Sequence, residues 1–114
     1  MIHRRRSTDH NQGEIAKALQ SCGYHVTDLA GVGNGCPDLL VTKAGRAYLI
    51  EIKNKAGRGQ RFTPAQLAYY DAVHCPVFVF TGVNDVISWV NGHIEAVNTS
   101  NGRFNPKETR TVFD

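Results

Sequence analysis

The sequence is poor in the residues that staple or anchor a small protein. Its three cysteines, Cys22, Cys36 and Cys75, are odd in number and include no C-x-x-C pair. A disulfide framework or a cysteine zinc site is therefore not expected, and the thiols fit a reducing cytoplasm. The five histidines are scattered and form no ligand spacing. No run approaches the ~20 apolar residues that span a bilayer, so no membrane association is expected. The basic start, Met1 to Arg6, is followed by no apolar stretch, which argues against a secretory signal. Charge of one sign is also scarce. Thirteen Lys+Arg against ten Asp+Glu leave a net +3, which permits a nucleic-acid partner without demanding one. Gly31-x-Gly33-x-Gly35 has the wrong spacing for a dinucleotide loop and runs into Pro37 and a strand, where that loop needs a helix. No G-K-[ST] follows any glycine loop, which excludes a P-loop. Cys36 near Asp38 has no local histidine to act as its base, so a thiol nucleophile is not indicated.

What is present describes one small α/β domain. The chain has 114 residues, 41% hydrophobic and 20% charged, in the range of an ordinary globular domain. Ile15, Ala18, Leu19 and Cys22 recur at helical spacing and predict a helix from Asn11 to Cys22. Asp9 or Asn11 would cap it, Gly23 would end it, and Glu14 would lie in its first turn. Tyr24–Leu29 alternates like a strand. After the break at Gly31–Pro37, Asp38–Thr42 and Ala47–Lys53 read as two strands joined by Ala44-Gly45. Thr63-Pro64 opens a helix running to about Val73, with Leu67, Tyr70 and Ala72 facing the core. Val77–Phe80 is fully apolar, like a strand at a sheet's centre. Val83–Val90 fits a short helix capped by Asn84 or Asp85, although Asn91-Gly92 between apolar flanks is also a hairpin signal. The domain is expected to span residues 1–97, with 1–8 a basic arm and 98–114 a polar, poorly ordered tail.

The chemistry-bearing residues converge on one hairpin. With Ala44-Gly45 as a two-residue turn, Lys43 pairs with Arg46, Thr42 with Ala47 and Leu40 with Leu49. That register puts Asp38 opposite Glu51, at a Cβ separation of about 5 Å. Two carboxylates so placed repel, which makes poor sense for stability and good sense for a divalent cation. Alternation along the strand sends Glu51 and Lys53 to one face, with Ile50 and Ile52 on the other. An ammonium there can orient or deprotonate a water, or hold a phosphate oxygen. Glu-x-Lys alone is common on solvated strand edges; Pro-Asp, hairpin and Glu-x-Lys together fit metal-assisted hydrolysis of a phosphodiester. Gln66 and Tyr70, four apart, share a helix face. Tyr70 reads as core, while Gln66 can face a phosphate or the attacking water. Gly33-Asn34-Gly35 would let backbone approach a ligand closely.

These residues resemble the PD-(D/E)xK nuclease superfamily, through Pro37-Asp38 and, after a twelve-residue gap, Glu51-Ile52-Lys53. More narrowly, the chain is similar to the small stand-alone VRR-NUC-type nucleases of phages and bacteria. The segments that carry the likeness are Asn11–Ile15, Val32–Val41, Leu49–Lys53 and Phe62–Gln66, within roughly Asp9 to Val90. The resemblance implies a restriction-endonuclease-like α/β core of order α-β-β-β-α-β, with a mixed central sheet flanked by helices. It favours a helix over a hairpin at Val83–Val90. It implies a metal-dependent DNA endonuclease using Mg²⁺ or Mn²⁺ in the cytoplasm of a bacterium or phage-infected cell. Asp38, Glu51 and the Ile52 carbonyl would be ligands, and Lys53 would act on the water. Gln66 would support the site, and Glu14 would serve a second metal or a bridging water. Relatives similar to Holliday junction resolvases imply a homodimer that cuts branched DNA. A dimer in turn calls for an exposed apolar face somewhere, with Trp89 and Phe104 as candidates.

DNA contact is expected from two basic clusters, Arg4, Arg5 and Arg6 at the start, and Lys55, Arg58 and Arg61 after the hairpin. No helix carries the basic face of a major-groove reader. The competing readings are a non-catalytic DNA-binding module and a structural subunit on the same fold. Asp38, Glu51 and Lys53 occurring together argue against the first.

Overall fold

The computed structural model describes residues 7–53 and 62–98. Its elements run α1 (Ser7–Ser21), β1 (His25–Asp28), β2 (Leu39–Lys43), β3 (Arg46–Ile52), α2 (Pro64–Ala72), β4 (Val77–Phe80) and α3 (Asn84–Val90). This is the expected α-β-β-β-α-β order, closed by the helix favoured at Val83–Val90. The sheet order is β1-β2-β3-β4, with antiparallel pairing up to β3 and a parallel β3–β4 pair joined through α2.

Helix α1 starts one turn earlier than its apolar pattern predicts. Ser7 and Thr8 thus belong to the helix and not to an arm, and Asn11 is no cap: its Nδ2 donates to the Thr81 carbonyl at 3.2 Å. Glu14 consequently leaves the first turn and lies exposed in mid-helix. Ile15 and Leu19 are fully buried as the spacing requires. Gly23, at φ +92°, ends the helix in a conformation that costs other residues about 1 kcal/mol. The Lys43 ammonium donates to the exposed Cys22 carbonyl at 2.9 Å, so the hairpin's turn end braces the helix terminus.

The β2–β3 register is the predicted one, with Lys43 opposite Arg46 and Leu40 opposite Leu49. Ala44 and Gly45 both have positive φ, 53° and 79°, as a tight turn matched to strand twist requires. Alternation then sorts the sheet into two faces. Leu39, Val41, Ile50, Ile52 and Phe80 pack with α1 and α3 on one. Leu49, Val77 and Val79 pack with Phe62 and Tyr70 on the other, beneath α2. Ala72, expected in the core, is exposed.

Strand β4 is apolar for a different reason from the one its composition suggests. It is an edge strand of the sheet, with a helix layer on each face. The outer edge at Val77 is closed by the chain's return: Val97 N donates to the Val77 carbonyl at 2.8 Å, and Val77 N donates to Asn98 Oδ1 at 2.9 Å. Asn98 Nδ2 donates to the carbonyls of Tyr70 and Cys75 at 2.9 and 3.0 Å. Asn98 is therefore a buried plug and part of the domain, where a polar tail was expected to begin; 99–114, including Phe104, lie outside the described residues. Asn98→Ala leaves a buried amide and two carbonyls without these partners and is expected to cost about 3 kcal/mol. Urea unfolding measures it; a loss below about 1 kcal/mol contradicts the plug.

Helix α3 has Val83 at its N-cap and no side-chain cap, so neither Asn84 nor Asp85 caps it. The Asp85 carboxylate reaches back to accept from Thr81 N and Thr81 Oγ1. Trp89 is only 8% exposed, ringed by Tyr24, Tyr48, Phe78 and Phe80 at centroid distances of 5.1–5.7 Å. It offers no docking surface; the exposed apolar residues of this region are Val83, Ile87 and Val90. No helix among the described residues is long and apolar enough to cross a membrane.

Candidate active site

The hairpin's open end brings Asp38, Glu51 and Lys53 together with Gln66 of α2. Glu51 is the last but one residue of β3 and Lys53 follows the strand directly. Both lie on the face covered by α2, where Leu49 is core; alternation alone accounts for this. Asp38 sits one residue before β2, just beyond the last ladder pair, Leu39–Ile50. It is not a plain cross-strand partner of Glu51, as the extrapolated register had it. Its N–H donates to the Ile50 carbonyl at 3.0 Å, and its Oδ2 accepts from Ile52 N at 2.8 Å. The carboxylate thus takes over the ladder bond a backbone carbonyl would have made. This fixes its direction and keeps it close enough to Glu51 to act on that group's ionisation. In a strand, N–H and C=O of one residue leave on the same edge, so the Ile52 carbonyl lies on the Asp38 side.

Gln66 carries two duties with one amide. Its Oε1 accepts from Thr63 N at 2.8 Å, and its own N–H donates to Thr63 Oγ1 at 3.1 Å, a reciprocal capping box at the start of α2. The same Oε1 accepts from Lys53 Nζ at 3.3 Å, and Nε2 donates to Glu51 Oε2 at 3.1 Å. Lys53 Nζ also lies 4.0 Å from Glu51 Oε2 and 5.5 Å from the centroid of the Phe62 ring. Helix start, lysine and glutamate are held as one unit.

Glu51 is 6% exposed. Burial, first, and the Asp38 charge, second, push its carboxyl from the ordinary 4.5 up to about 8, against the opposing pull of Lys53, Gln66 and Tyr70. The Tyr70 hydroxyl is buried beside it and makes no hydrogen bond of standard distance and angle. It is nevertheless near enough to interact: burial first, then the Glu51 and Asp38 charges, hold the phenol well above its usual range.

Gly35 is where sequence reasoning misplaced the partner. Its backbone approaches α2, not a ligand: a Cβ at Gly35 would fall 2.2 Å from the Ala65 carbonyl oxygen. Tyr70, read as core, is core, and its hydroxyl also reaches the site; the spacing to Gln66 was the available signal. Glu14 is exposed on α1, away from the first turn where dipole complementation would have explained it. Arg4, Arg5, Arg6, Lys55, Arg58 and Arg61 lie outside the described residues. Among those described, no three His, Cys, Asp or Glu converge, so the cluster is two carboxylates with backbone and Lys53.

No protein-family model and no curated protein matches the chain. Among solved structures it is similar to one described as a VRR_NUC domain, with a TM-score of 0.59 and 22% identity over 78% of this chain and 99% of that one. The shared feature is the fold, a restriction-endonuclease-like α/β architecture, which the described residues of this chain build as a four-stranded mixed sheet and three helices.

Proposed function

We propose that the chain is a metal-dependent DNA endonuclease whose active site is Asp38, Glu51, Lys53 and Gln66. The observation that carries this reading is the burial of Glu51 against a second carboxylate, with a lysine and a helix-anchored amide gathered on it. As a stability device the arrangement is costly, because Lys53 and Gln66 do not offset the burial of the acid. The donor set suits a divalent cation instead: two carboxylates and the Ile52 carbonyl, all oxygen, which would leave the remaining coordination positions to waters and phosphate.

Asp38, Glu51 and the Ile52 carbonyl would hold Mg²⁺ or Mn²⁺, which when bound supplies Lewis-acid charge at the scissile phosphate. The chain's own residues do the rest. Ile52 N–H aims Asp38, and Gln66 Nε2 aims Glu51. Gln66 Oε1 steadies Lys53, whose ammonium can hold a phosphate oxygen or orient the attacking water. Glu14 is assigned to a second metal or a bridging water, and the arginine and lysine clusters to the DNA backbone. The fold likeness supports this reading; the residues carry it.

A digest of single-stranded, duplex, flapped and four-way DNA tests it. Cleavage that needs Mg²⁺ or Mn²⁺ and stops with chelator is expected, with branched DNA preferred. Intact substrates throughout, with either metal, would sink the reading and leave a binding module on a nuclease fold.

A further inference from the structure

We propose that Gly35 is a positioning residue: its missing side chain sets how closely α2 approaches the sheet, and thereby places the Gln66 amide on Glu51. This rests on the active-site reading above and extends it to a residue with no reactive group. The backbone of Gly35 packs directly on the first turn of α2. A Cβ there would lie 2.2 Å from Ala65 O, 2.5 Å from Ala65 C and 2.8 Å from Gln66 N. All three are backbone atoms, so no side-chain rotation relieves the crowding. The helix would have to withdraw, and the atom nearest the functional amide, Gln66 N, is among those displaced.

Withdrawal acts on a network with little slack. Gln66 Nε2 reaches Glu51 Oε2 at 3.1 Å, and Gln66 Oε1 reaches Lys53 Nζ at 3.3 Å, already the long end of a hydrogen bond. A retreat of a few tenths of an ångström breaks the lysine contact first. The loop that carries Gly35 is the one that delivers Asp38 three residues later. One glycine therefore sets the spacing between the two walls of the site.

The loop contains its own control. Gly33 has nearly the same backbone conformation as Gly35, φ +80° against +83°, and a Cβ there would meet nothing within 4 Å. Alanine costs similar backbone strain at both positions and crowds α2 only at 35.

The test compares Gly33→Ala, Gly35→Ala and Gln66→Asn. Gln66→Asn shortens the amide's reach without touching the loop. Residue-resolved hydrogen exchange reads the Thr63 and Gln66 amides of the capping box, with Val41 and Val79 as sheet references. Calorimetry reads Mn²⁺ affinity. Gly35→Ala is expected to speed exchange at Thr63 and Gln66 roughly tenfold or more, leave the sheet amides unchanged, and weaken Mn²⁺ binding about 10–100-fold. Gly33→Ala should do neither. Gln66→Asn should reproduce the loss of Mn²⁺ affinity in a fully folded protein. The proposal is overturned if Gly35→Ala keeps the capping-box protection, if it strips the sheet amides equally, or if Gln66→Asn binds Mn²⁺ like the parent. A parent that binds no Mn²⁺ and cuts no DNA refutes the active-site reading instead; the exchange comparison still decides where Gly35 holds α2.

Discussion

Asp38→Asn is expected to lower Mn²⁺-dependent DNA cleavage by roughly 10²–10³-fold or more while raising the stability of the metal-free protein. The opposite signs follow from one geometry. Asp38 Oδ2 accepts from Ile52 N, and an asparagine carbonyl can accept the same bond, so the hairpin end stays closed. What disappears is the negative charge. That charge is half of the proposed ligand pair, so its loss should remove metal affinity and turnover together. It is also the second largest cause of the raised Glu51 carboxyl, so its loss should relieve a buried repulsion. Asp38→Ala removes the acceptor as well and should lose both activity and stability. Cleavage assays and urea unfolding at pH 8 on the two variants separate the effects. Undiminished cleavage by Asp38→Asn would refute the site. Lost activity with lost stability would make Asp38 a structural residue of the hairpin.

The hairpin was legible because its determinants are local. Ala44-Gly45 sets the register, and the register with period-two alternation sends Glu51 and Lys53 to one face. Thr63-Pro64 with Gln66 three residues on is a local signature too, and the cap is formed as written. What was not legible depends on contacts far apart in sequence. Nothing around Gly35 announces Ala65 as its neighbour, thirty residues on. Asn98 looks like the first residue of a polar tail until Val77, Tyr70 and Cys75 present three backbone groups to it. Strand β4 shows the limit of composition: an apolar run reports that both faces are covered, which a helix layer on each side achieves even at a sheet edge. The first turn of α1 escaped because Ser-Thr-Asp-His offers no apolar period. The carboxylate pair itself was visible in outline. The burial of Glu51, which sets the pair apart from solvated strand-edge charges, was not.

That burial makes the protein's response to pH a direct reading of the site. Glu51 binds its proton up to about pH 8 in the folded state and has an ordinary value of 4.5 when unfolded. Between those values the folded chain holds the extra proton, so stability falls as pH rises. Below pH 4.5 the group is protonated in both states and carries no penalty; above about pH 8 the penalty is complete. Glu51→Gln keeps an oxygen to accept from Gln66 Nε2 and removes the ionisation. It is therefore expected to match the parent near pH 4 and to exceed it by roughly 3–5 kcal/mol at pH 8 without metal. A cation in the site reverses the logic, because it needs the ionised carboxyl. At pH 7 its binding should release close to one proton, and affinity should rise about tenfold per pH unit until it levels near pH 8. Calorimetry in two buffers of different ionisation enthalpy counts that proton. A pH-independent gap between Glu51→Gln and the parent would remove the buried acid from the account. Mn²⁺ binding without proton release at pH 7 would place the metal elsewhere. Both results as expected would tie the buried Glu51 carboxyl to the place where the cation acts.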